Sequence, residues 1–269
     1  MTPFSVGSVE VGGPRLTLIA GPCLAESRDL CMAVAETLKP ICERLGFGYV
    51  FKASFDKANR TSAGSERGMG LDAGLETIGS VGRELGLPTT TDVHLPDQAI
   101  PVAAAVDLLQ IPAFLCRQSD LLEACAATGK SVNVKKGQFL APHDTRNIVE
   151  KLRAFGASGA MLTERGTTFG YNALIVDMPG LEVMRGFGVP VCFDATHSAQ
   201  RPGGAGTSSG GVRESIPAMV RAAVAVGIDA LFLEVHPDPS RALSDRETQW
   251  PLDRAEELLE SVARIRDAV

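Results

Sequence analysis

Three features of the sequence predict an α/β fold, a single-domain (β/α)8 barrel. They are eight short apolar runs, a helical pattern after most of them, and the absence of any linker or composition break between the units. Strands that alternate with helices form a parallel sheet with right-handed crossovers, and a chain of 269 residues has the usual size of such a barrel. We expect one domain over residues 1–269, with residues 1–15 forming a short N-terminal hairpin at the barrel bottom.

The predicted strands are short apolar or β-branched runs. In chain order they are Leu16–Gly21, Tyr49–Ser54, Pro88–His94, Leu108–Ala113, Ser131–Lys136, Ala160–Arg165, Pro190–Thr196 and Ala230–His236. Residues with helical periodicity lie between them, for example in Ser27–Leu45, Leu121–Thr128, Asp144–Phe155, Val212–Val226 and Leu252–Ala268. A glycine follows several of these helices, as at Gly46 and Gly227, where a helix C-terminus favours a left-handed residue.

A doubly wound open sheet is the alternative architecture. In that fold the first strand leads into a Gly-x-Gly-x-x-Gly turn that holds a dinucleotide. Here the first strand is followed by a different sequence, IAGPCLAES (Ile19–Ser27). The closed barrel is therefore the favoured prediction.

Composition and charge exclude several classes of protein. With 45% hydrophobic and 22% charged residues the chain is too apolar for intrinsic disorder. Its net charge of −6 provides no positive field for nucleic acid or an anionic membrane. The N-terminus lacks the basic and apolar stretches of a secretory signal. The six cysteines form no Cys-x-x-Cys pair, so we expect a cytoplasmic protein without disulfides or a structural zinc module.

Polar side chains collect near the predicted C-terminal ends of the strands, where barrel enzymes carry their chemistry. Residues two apart on a strand, such as Lys52 and Ser54, can face the same way. A single polar residue there is usually a satisfied core group, whereas this many predict a functional basin. The candidates are Cys23, Lys52, Ser54, Lys57, Asp92, His94, Gln110, Asn133, Lys135, Arg165, His197, Glu234 and His236.

The cations form one set, for which we expect few matching carboxylates. Such a basin would take an anion of more than one charge, either a phosphate with a carboxylate or two phosphates. Lys136, in contrast, is expected to be a solvated loop residue. The cationic set comprises Lys52, Lys57, Lys135 and Arg165, with Arg60 and Arg117 as further members.

A second set combines a thiol, an imidazole and two carboxylates, namely Cys23, His197, Glu234 and Asp245. These groups suit a divalent metal such as iron(II), zinc or manganese. Spacing does not identify the site, because the ligands come from three strands and a loop. Taken singly, Cys23 and Asp245 are more often packing and turn residues, and His236 competes with Glu234.

Segments in the same order over nearly the whole chain closely resemble the 3-deoxy-D-manno-octulosonate 8-phosphate synthase family. The related heptulosonate 7-phosphate synthases carry a KPRTS-like sequence where this chain has KANR, so Asn59 favours the first family. The segments are FKASFDKANRTS (Phe51–Ser62), TDVH (Thr91–His94), QIPAFLCRQSDL (Gln110–Leu121), NVKKGQF (Asn133–Phe139), ERGTTFGYNALIVDM (Glu164–Met178), FDATHS (Phe193–Ser198) and EVHPDP (Glu234–Pro239).

The resemblance implies condensation of phosphoenolpyruvate with D-arabinose 5-phosphate and water, a step in making a lipopolysaccharide sugar, with phosphate released by C–O cleavage. It implies a homotetramer in which Arg117 comes from a neighbouring subunit. It assigns to phosphoenolpyruvate Lys52, Ser54, Lys57, Gln110, Ala113, Lys135 and Arg165. It assigns to the pentose phosphate Asn59, Arg60, Thr61, Asp92 and Arg117.

The resemblance also implies the metal-dependent branch, because Cys23 stands where metal-independent members carry Asn. The implied ligands of Fe²⁺, Zn²⁺ or Mn²⁺ are Cys23, His197, Glu234 and Asp245. The candidates for proton transfer are Lys57, Asp92 and His197. Two alternatives stay open: a heptulosonate 7-phosphate synthase that uses erythrose 4-phosphate, and a barrel that binds phosphosugars without turnover.

Overall fold

The computed structural model describes residues 1–59, 62, 64–204 and 210–269. Eight parallel strands form a closed barrel in which each strand pairs with the next, and the eighth pairs with the first. The predicted (β/α)8 barrel is confirmed. The strands are β1 (Thr17–Gly21), β2 (Gly48–Lys52), β3 (Thr89–Asp92), β4 (Leu108–Ile111), β5 (Ser131–Lys135), β6 (Ala160–Glu164), β7 (Val191–Asp194) and β8 (Ala230–His236).

Helices surround the barrel, and all five predicted ones are present with slightly shifted ends. The first begins after Ser27, whose Oγ accepts a hydrogen bond from Leu30 N, and ends at Gly46 with a φ of 70°. None of the described helices is both long and apolar enough to cross a membrane. The helices are Arg28–Leu45, Leu71–Leu85, Ala99–Ala105, Ser119–Ala126, Arg146–Ala154, Met178–Arg185, Ala195–Ser198, Ile216–Val226 and Ala255–Arg266.

The predicted N-terminal hairpin is also confirmed. Phe4–Val6 and Val9–Val11 pair antiparallel, and Val6 and Val11 are fully buried. They pack against a cluster of apolar side chains from the barrel strands, which fill the interior as is usual for this fold. The hairpin therefore seals the bottom, and polar chemistry is left to the opposite end. The interior cluster comprises Ile19, Val50, Leu108, Met161, Cys192, Ala230 and Phe232.

The chain departs from the prediction after β7. The sequence predicted a strand as far as Thr196, but β7 ends at Asp194 and a helical turn follows. Asp194 caps that turn, because its Oδ1 accepts from His197 N at 2.9 Å. His197 is therefore presented at the C-terminal face by a turn.

Short additional pairings enlarge the C-terminal rim. Gln200–Arg201 and Gly210–Gly211 pair antiparallel after β7, and Trp250–Pro251 pairs with the end of β8. Between them, Asp245 has a φ of 49°, which is uncommon for a residue other than glycine but tolerated by Asp. This left-handed residue starts a turn in which Thr248 N and Gln249 N donate to Asp245 O.

Candidate active site

A polar cavity opens at the C-terminal ends of the barrel strands, and most of the predicted site residues line it. Ser54 and Gln110 lie beneath it, fully buried and hydrogen-bonded to the Asp92 carboxylate. The parallel strands all end at this face, so side chains far apart in sequence meet there. The cavity walls include Lys52, Lys57, Asn59, Asp92, Ala113, Lys135, Arg165 and His197.

One of the described residues that the sequence assigns to substrate lies away from this cavity, and two others cannot be placed. Arg117 is exposed and does not line it. Its contact with a neighbouring subunit therefore stays a prediction. Arg60 and Thr61 lie outside the described residues.

Lys52 and Lys57 meet at one hydroxyl group. Lys52 is 1% exposed, and its Nζ lies 2.9 Å from Glu234 Oε1 and 3.0 Å from Ser54 Oγ. Lys57 Nζ donates to the same Oγ at 3.0 Å. Burial alone would lower the pKa of Lys57, but the Cys23 sulfur and Glu234 outweigh it and shift this pKa upward. Lys57 therefore carries a positive charge into the cavity.

Asp92 anchors a chain of hydrogen bonds across the barrel. Its Oδ2 accepts from Ser54 Oγ at 2.5 Å and its Oδ1 from Gln110 Nε2 at 2.7 Å. Gln110 Oε1 accepts from Asn133 Nδ2 at 3.0 Å, and Asn133 Oδ1 from Thr163 Oγ1 at 2.6 Å. Burial alone would raise the pKa of Asp92, but the nearby lysines lower it far below its ordinary value. Asp92 is therefore an ionised, firmly held acceptor.

Lys135 and His197 share the buried carboxylate of Asp194. Lys135 Nζ lies 2.6 Å and His197 Nδ1 2.7 Å from Asp194 Oδ2. The same Nζ stands 3.7 Å from the centre of the Phe232 ring, a cation–π contact. Burial alone would raise the pKa of Asp194, but His197 and Lys135 lower it well below its ordinary value. Because this carboxylate accepts from Nδ1, His197 Nε2 is free to act as a ligand.

Arg165 directly follows β6 and is 5% exposed. Within the described part of the chain, it makes no ion pair. Its Nη2 donates to Gln200 Oε1 at 3.0 Å, whereas its buried Nη1 has no hydrogen-bond partner. A buried guanidinium nitrogen without an acceptor is costly. Arg165 is thus poised for an anionic ligand.

The prediction of few carboxylates beside the cations is wrong. Lys52 pairs with Glu234, and Lys135 pairs with Asp194. A buried ammonium group needs such a counter-charge, and the ends of β7 and β8 supply it. The cavity lining itself still contains four cations, counting Lys and Arg, and only two carboxylates. Among the described residues, Arg165 is the cation of this lining that makes no ion pair, so the charge free for a ligand lies mainly there.

The prediction for Lys136 is also wrong, because this side chain is fully buried. Successive residues face opposite sides of a strand, so Lys136 points away from the cavity that Lys135 lines. Its Nζ lies 3.4 Å from Glu164 Oε2 and donates to Thr167 Oγ1 at 2.9 Å. These contacts tie together the chain segments that follow β5 and β6, next to Lys135 and Arg165.

Beside the cavity, Cys23, Glu234 and Asp245 place potential metal-binding atoms within 4.8 Å of one another. Cys23 Sγ lies 3.1 Å from Asp245 Oδ2. His197 Nε2 lies 3.7 Å from Glu234 Oε2 and 3.8 Å from Asp245 Oδ2. The structure thus brings together all four residues of the second predicted set, which we call the metal cluster.

The chemistry of the metal cluster fits a divalent cation. Glu234 Oε1 accepts from Lys52, but the buried Oε2 has no hydrogen-bond partner. Burial, Asp245 and Glu234 raise the pKa of the Cys23 thiol by more than Lys57 and Lys52 lower it, so a thiolate at this position needs further positive charge. A divalent ion would supply that charge and engage the free carboxylate oxygen.

His236 does not compete for this cluster. Its Nδ1 accepts from Asp238 N at 2.9 Å, and its Nε2 faces Glu26 at 3.8 Å. The imidazole therefore orders the turn after β8, and Glu234 occupies the position beside His197.

Sequence reasoning missed three polar residues around the site. Asp194 holds Lys135, and Gln249 Oε1 accepts from Cys23 N at 3.1 Å. Gln200 contacts residues 35 and 45 positions away in the chain. A signal existed for Asp194, which stands three residues before His197 in the same motif. Nothing local singles out Gln200 or Gln249, because their partners are distant in sequence.

Two comparisons with known proteins, one with family models and one with curated sequences, find related enzymes over nearly the whole chain. The sequence model of the DAHP synthetase I family matches residues 4–269. A curated protein of Synechococcus sp. named 2-dehydro-3-deoxyphosphooctonate aldolase is 56% identical over 266 residues, covering 99% of this chain and 92% of the relative. A protein of the same name from Trichlorobacter lovleyi is 54% identical over 267 residues, covering 99% of this chain and 98% of the relative.

Proposed function

Because this chain belongs to the DAHP synthetase I family, and within it to the 2-dehydro-3-deoxyphosphooctonate aldolases, we propose that it is the enzyme condensing phosphoenolpyruvate with D-arabinose 5-phosphate and water. The products are 3-deoxy-D-manno-octulosonate 8-phosphate and inorganic phosphate. The curated relatives bear the octulosonate name, so this activity is favoured over that of a heptulosonate 7-phosphate synthase.

The strongest structural support for the proposal is the arrangement of cations beside the metal cluster. Four cationic side chains from three different strand ends and a following loop line one cavity, directly beside the metal cluster. Two phosphorylated reactants repel each other, and a shared positive basin allows them to approach in a reactive orientation. A barrel that merely binds one phosphosugar would not need both the basin and the metal cluster.

Phosphoenolpyruvate is assigned to the inner part of the cavity. Arg165 Nη1 lacks an acceptor there, and Lys57 and Lys135 add positive charge. A planar guanidinium suits the paired oxygens of a phosphate or carboxylate. Lys52, Ser54, Gln110 and Ala113 complete this assignment, and the first three shape the floor through hydrogen bonds.

Arabinose 5-phosphate is assigned to the outer part. Asn59 lines the cavity mouth, and Asp92 supplies a carboxylate for a sugar hydroxyl. Arg60 and Thr61 belong to this assignment through the KANR motif. Arg117, from a neighbouring copy in a homotetramer, completes it through the resemblance alone.

The reaction forms a bond between the alkene carbon of phosphoenolpyruvate and the aldehyde carbon of the sugar. Water adds at the neighbouring carbon, and the resulting hemiketal phosphate loses phosphate. Lys57 Nζ, kept protonated by its acidic neighbours, can stabilise the developing charge on the aldehyde oxygen and serve in proton transfer. Asp92, kept ionised, orients a hydroxyl group more readily than it donates a proton.

Cys23, His197, Glu234 and Asp245 would hold the divalent ion, with Fe²⁺, Zn²⁺ or Mn²⁺ as the candidates. When bound, this ion supplies Lewis acidity or a template for an oxygen ligand. His197 then serves as a ligand, with its ring oriented by Asp194. The proposal places the enzyme in the cytoplasm, in keeping with the absence of disulfides among its six cysteines.

A phosphate-release assay tests the proposal. Purified protein is given phosphoenolpyruvate with either arabinose 5-phosphate or erythrose 4-phosphate, before and after dialysis against a strong chelator. We expect release with arabinose 5-phosphate, its loss after chelation and its recovery with Mn²⁺. Preference for erythrose 4-phosphate would establish the heptulosonate activity instead. No release with any aldose phosphate would indicate a binding protein, and turnover in verified metal-free protein would refute the metal assignment.

A further inference from the structure

We propose that Gln200 is a positioning residue that couples occupancy of the metal cluster to binding of phosphoenolpyruvate. This inference rests on the proposed function and deepens it. Gln200 follows the helical turn after β7 and is half-buried between the metal cluster and the cavity.

Two hydrogen bonds make Gln200 a bridge. Its Nε2 donates to Asp245 Oδ1 at 2.9 Å, and its Oε1 accepts from Arg165 Nη2 at 3.0 Å. Asp245 uses its other oxygen, Oδ2, toward Cys23 Sγ at 3.1 Å and His197 Nε2 at 3.8 Å. One carboxylate thus faces the metal cluster with one oxygen and Gln200 with the other.

The chemistry of the two partners requires an amide at this position. An ionised carboxylate only accepts hydrogen bonds, and a guanidinium only donates them. The Gln side chain carries one donor and one acceptor, so it satisfies Asp245 and Arg165 together and in one orientation. Because an amide carries no charge, the contact with Gln200 leaves the positive charge of Arg165 unneutralised for a ligand.

The bridge explains how the metal cluster and the anion site would affect each other. Asp245 would be held in place when the metal cluster is occupied, and it would then hold Gln200 and, through the Gln200 carbonyl oxygen, the guanidinium of Arg165. The unpartnered Nη1 of Arg165 is then held ready for an anion before the anion arrives. Preorganisation of this kind raises affinity because less conformational freedom is lost on binding. By linkage, phosphoenolpyruvate must raise metal affinity by the same factor.

Binding measurements with the full-length protein test this coupling. The Kd of phosphoenolpyruvate is measured by titration calorimetry in chelator-treated protein and again in protein loaded with Mn²⁺, without any sugar. The Kd of Mn²⁺ is then measured with and without phosphoenolpyruvate. We expect wild-type protein to bind each ligand about tenfold more tightly when the other is present, within the usual range of coupling between sites.

Two variants remove the bridge. Gln200→Met keeps the length of the side chain but forms neither hydrogen bond, and Gln200→Asn keeps the amide but is one methylene too short to reach both partners. In each, the two ligands should still bind, while the tenfold linkage should fall to less than about twofold. Gln138→Met is the matched control, because Gln138 is an amide lining the same cavity without a hydrogen bond to Asp245 or Arg165. Its linkage should stay as in wild type.

The outcomes separate the bridge from the proposed function. Loss of linkage in the Gln200 variants but not in Gln138→Met supports the bridge, and a merely structural role would weaken binding without changing the ratio. Unchanged linkage in the folded Gln200 variants overturns it, as does the absence of linkage in wild type. If wild-type protein binds no phosphoenolpyruvate in either form, the proposed function itself fails.

Discussion

Replacing Lys136 by Met removes the cation from a fully buried ion pair. Lys136 Nζ lies 3.4 Å from Glu164 Oε2 and donates to Thr167 Oγ1 at 2.9 Å and Leu140 O at 3.2 Å. Met occupies a similar volume, so the change leaves packing largely intact. It leaves the Glu164 carboxylate buried, with Gly166 N as the hydrogen-bond donor to its other oxygen.

The size of the effect follows from this burial. Breaking a buried pair from one side costs roughly 3–5 kcal/mol of the free energy of unfolding. At about 2.1 cal/mol/K per residue, a chain of 269 residues unfolds with an entropy of about 0.6 kcal/mol/K. Lys136→Met should therefore lower Tm by about 5–9 °C.

The loss should depend on pH. Burial already raises the pKa of Glu164 in the folded protein, and removal of Lys136 would raise it further. The folded variant would then hold a proton that the unfolded chain releases above its ordinary pKa of about 4.3. Stability falls with rising pH when the folded state binds more protons. The deficit of the variant should thus be smaller near about pH 5 than near about pH 8.

Thermal unfolding followed by circular dichroism, at one scan rate and at both pH values, measures these differences. Lys151→Met is the matched control, because Lys151 donates to Ser119 Oγ in an exposed contact and its loss should move Tm little. The double variant Lys136→Met/Glu164→Leu should recover most of the lost stability, since no charge is left unpaired. A Lys136→Met protein within about 1 kcal/mol of wild type, or a double variant without recovery, would refute the reasoning.

Other predictions concern the site and the barrel. Asp194→Asn should weaken Mn²⁺ binding about 10- to 100-fold, because the acceptor that orients His197 is lost; competition with a chromophoric chelator measures this, and unchanged affinity would contradict it. Cys23→Asn should retain measurable phosphate release in chelator, as the resemblance to metal-independent relatives implies, and complete inactivity of the folded variant would count against it. Gly21→Ala should lower Tm far more than Gly86→Ala, because an added Cβ at Gly21 would lie 1.9 Å from a β2 carbonyl oxygen, whereas at Gly86 it meets nothing within 4 Å and costs only the strain of a side chain at a φ of 64°; equal losses would argue otherwise.

The alternation of strands and helices was readable from local pattern, and strand ends were predicted within two residues. The end of β7 differs in another way, because a helical turn replaces the last predicted strand residues. The sequence gives no sign of this change, since a run of apolar and polar residues continues past the strand. Asp194 ends β7 by capping the turn, an effect of one side chain on the backbone three residues later. Periodicity carries no information about such a cap.

The sequence predicted which residue types form the site, but not which of them form ion pairs with one another. Lysines at the ends of strands were visible, yet the partner of Lys135 is Asp194 from 59 residues away, and that of Lys52 is Glu234 from 182 residues away. Lys136 looked like a loop residue because its partner Glu164 has no local relation to it. The ion pairs of the barrel join residues from different strands. The sequence pattern of one strand therefore does not show which charges are paired.

By itself, the sequence determined the barrel class, the face that carries the chemistry and the residue types available for it. These follow from covalent periodicity, since side chains alternate along a strand and parallel strands end together. Only the tertiary structure decided which charges are neutralised, which carboxylate oxygen is left without a partner and that Gln200 joins the two halves of the site. Those properties depend on distances between atoms that the chain brings together only when the barrel closes.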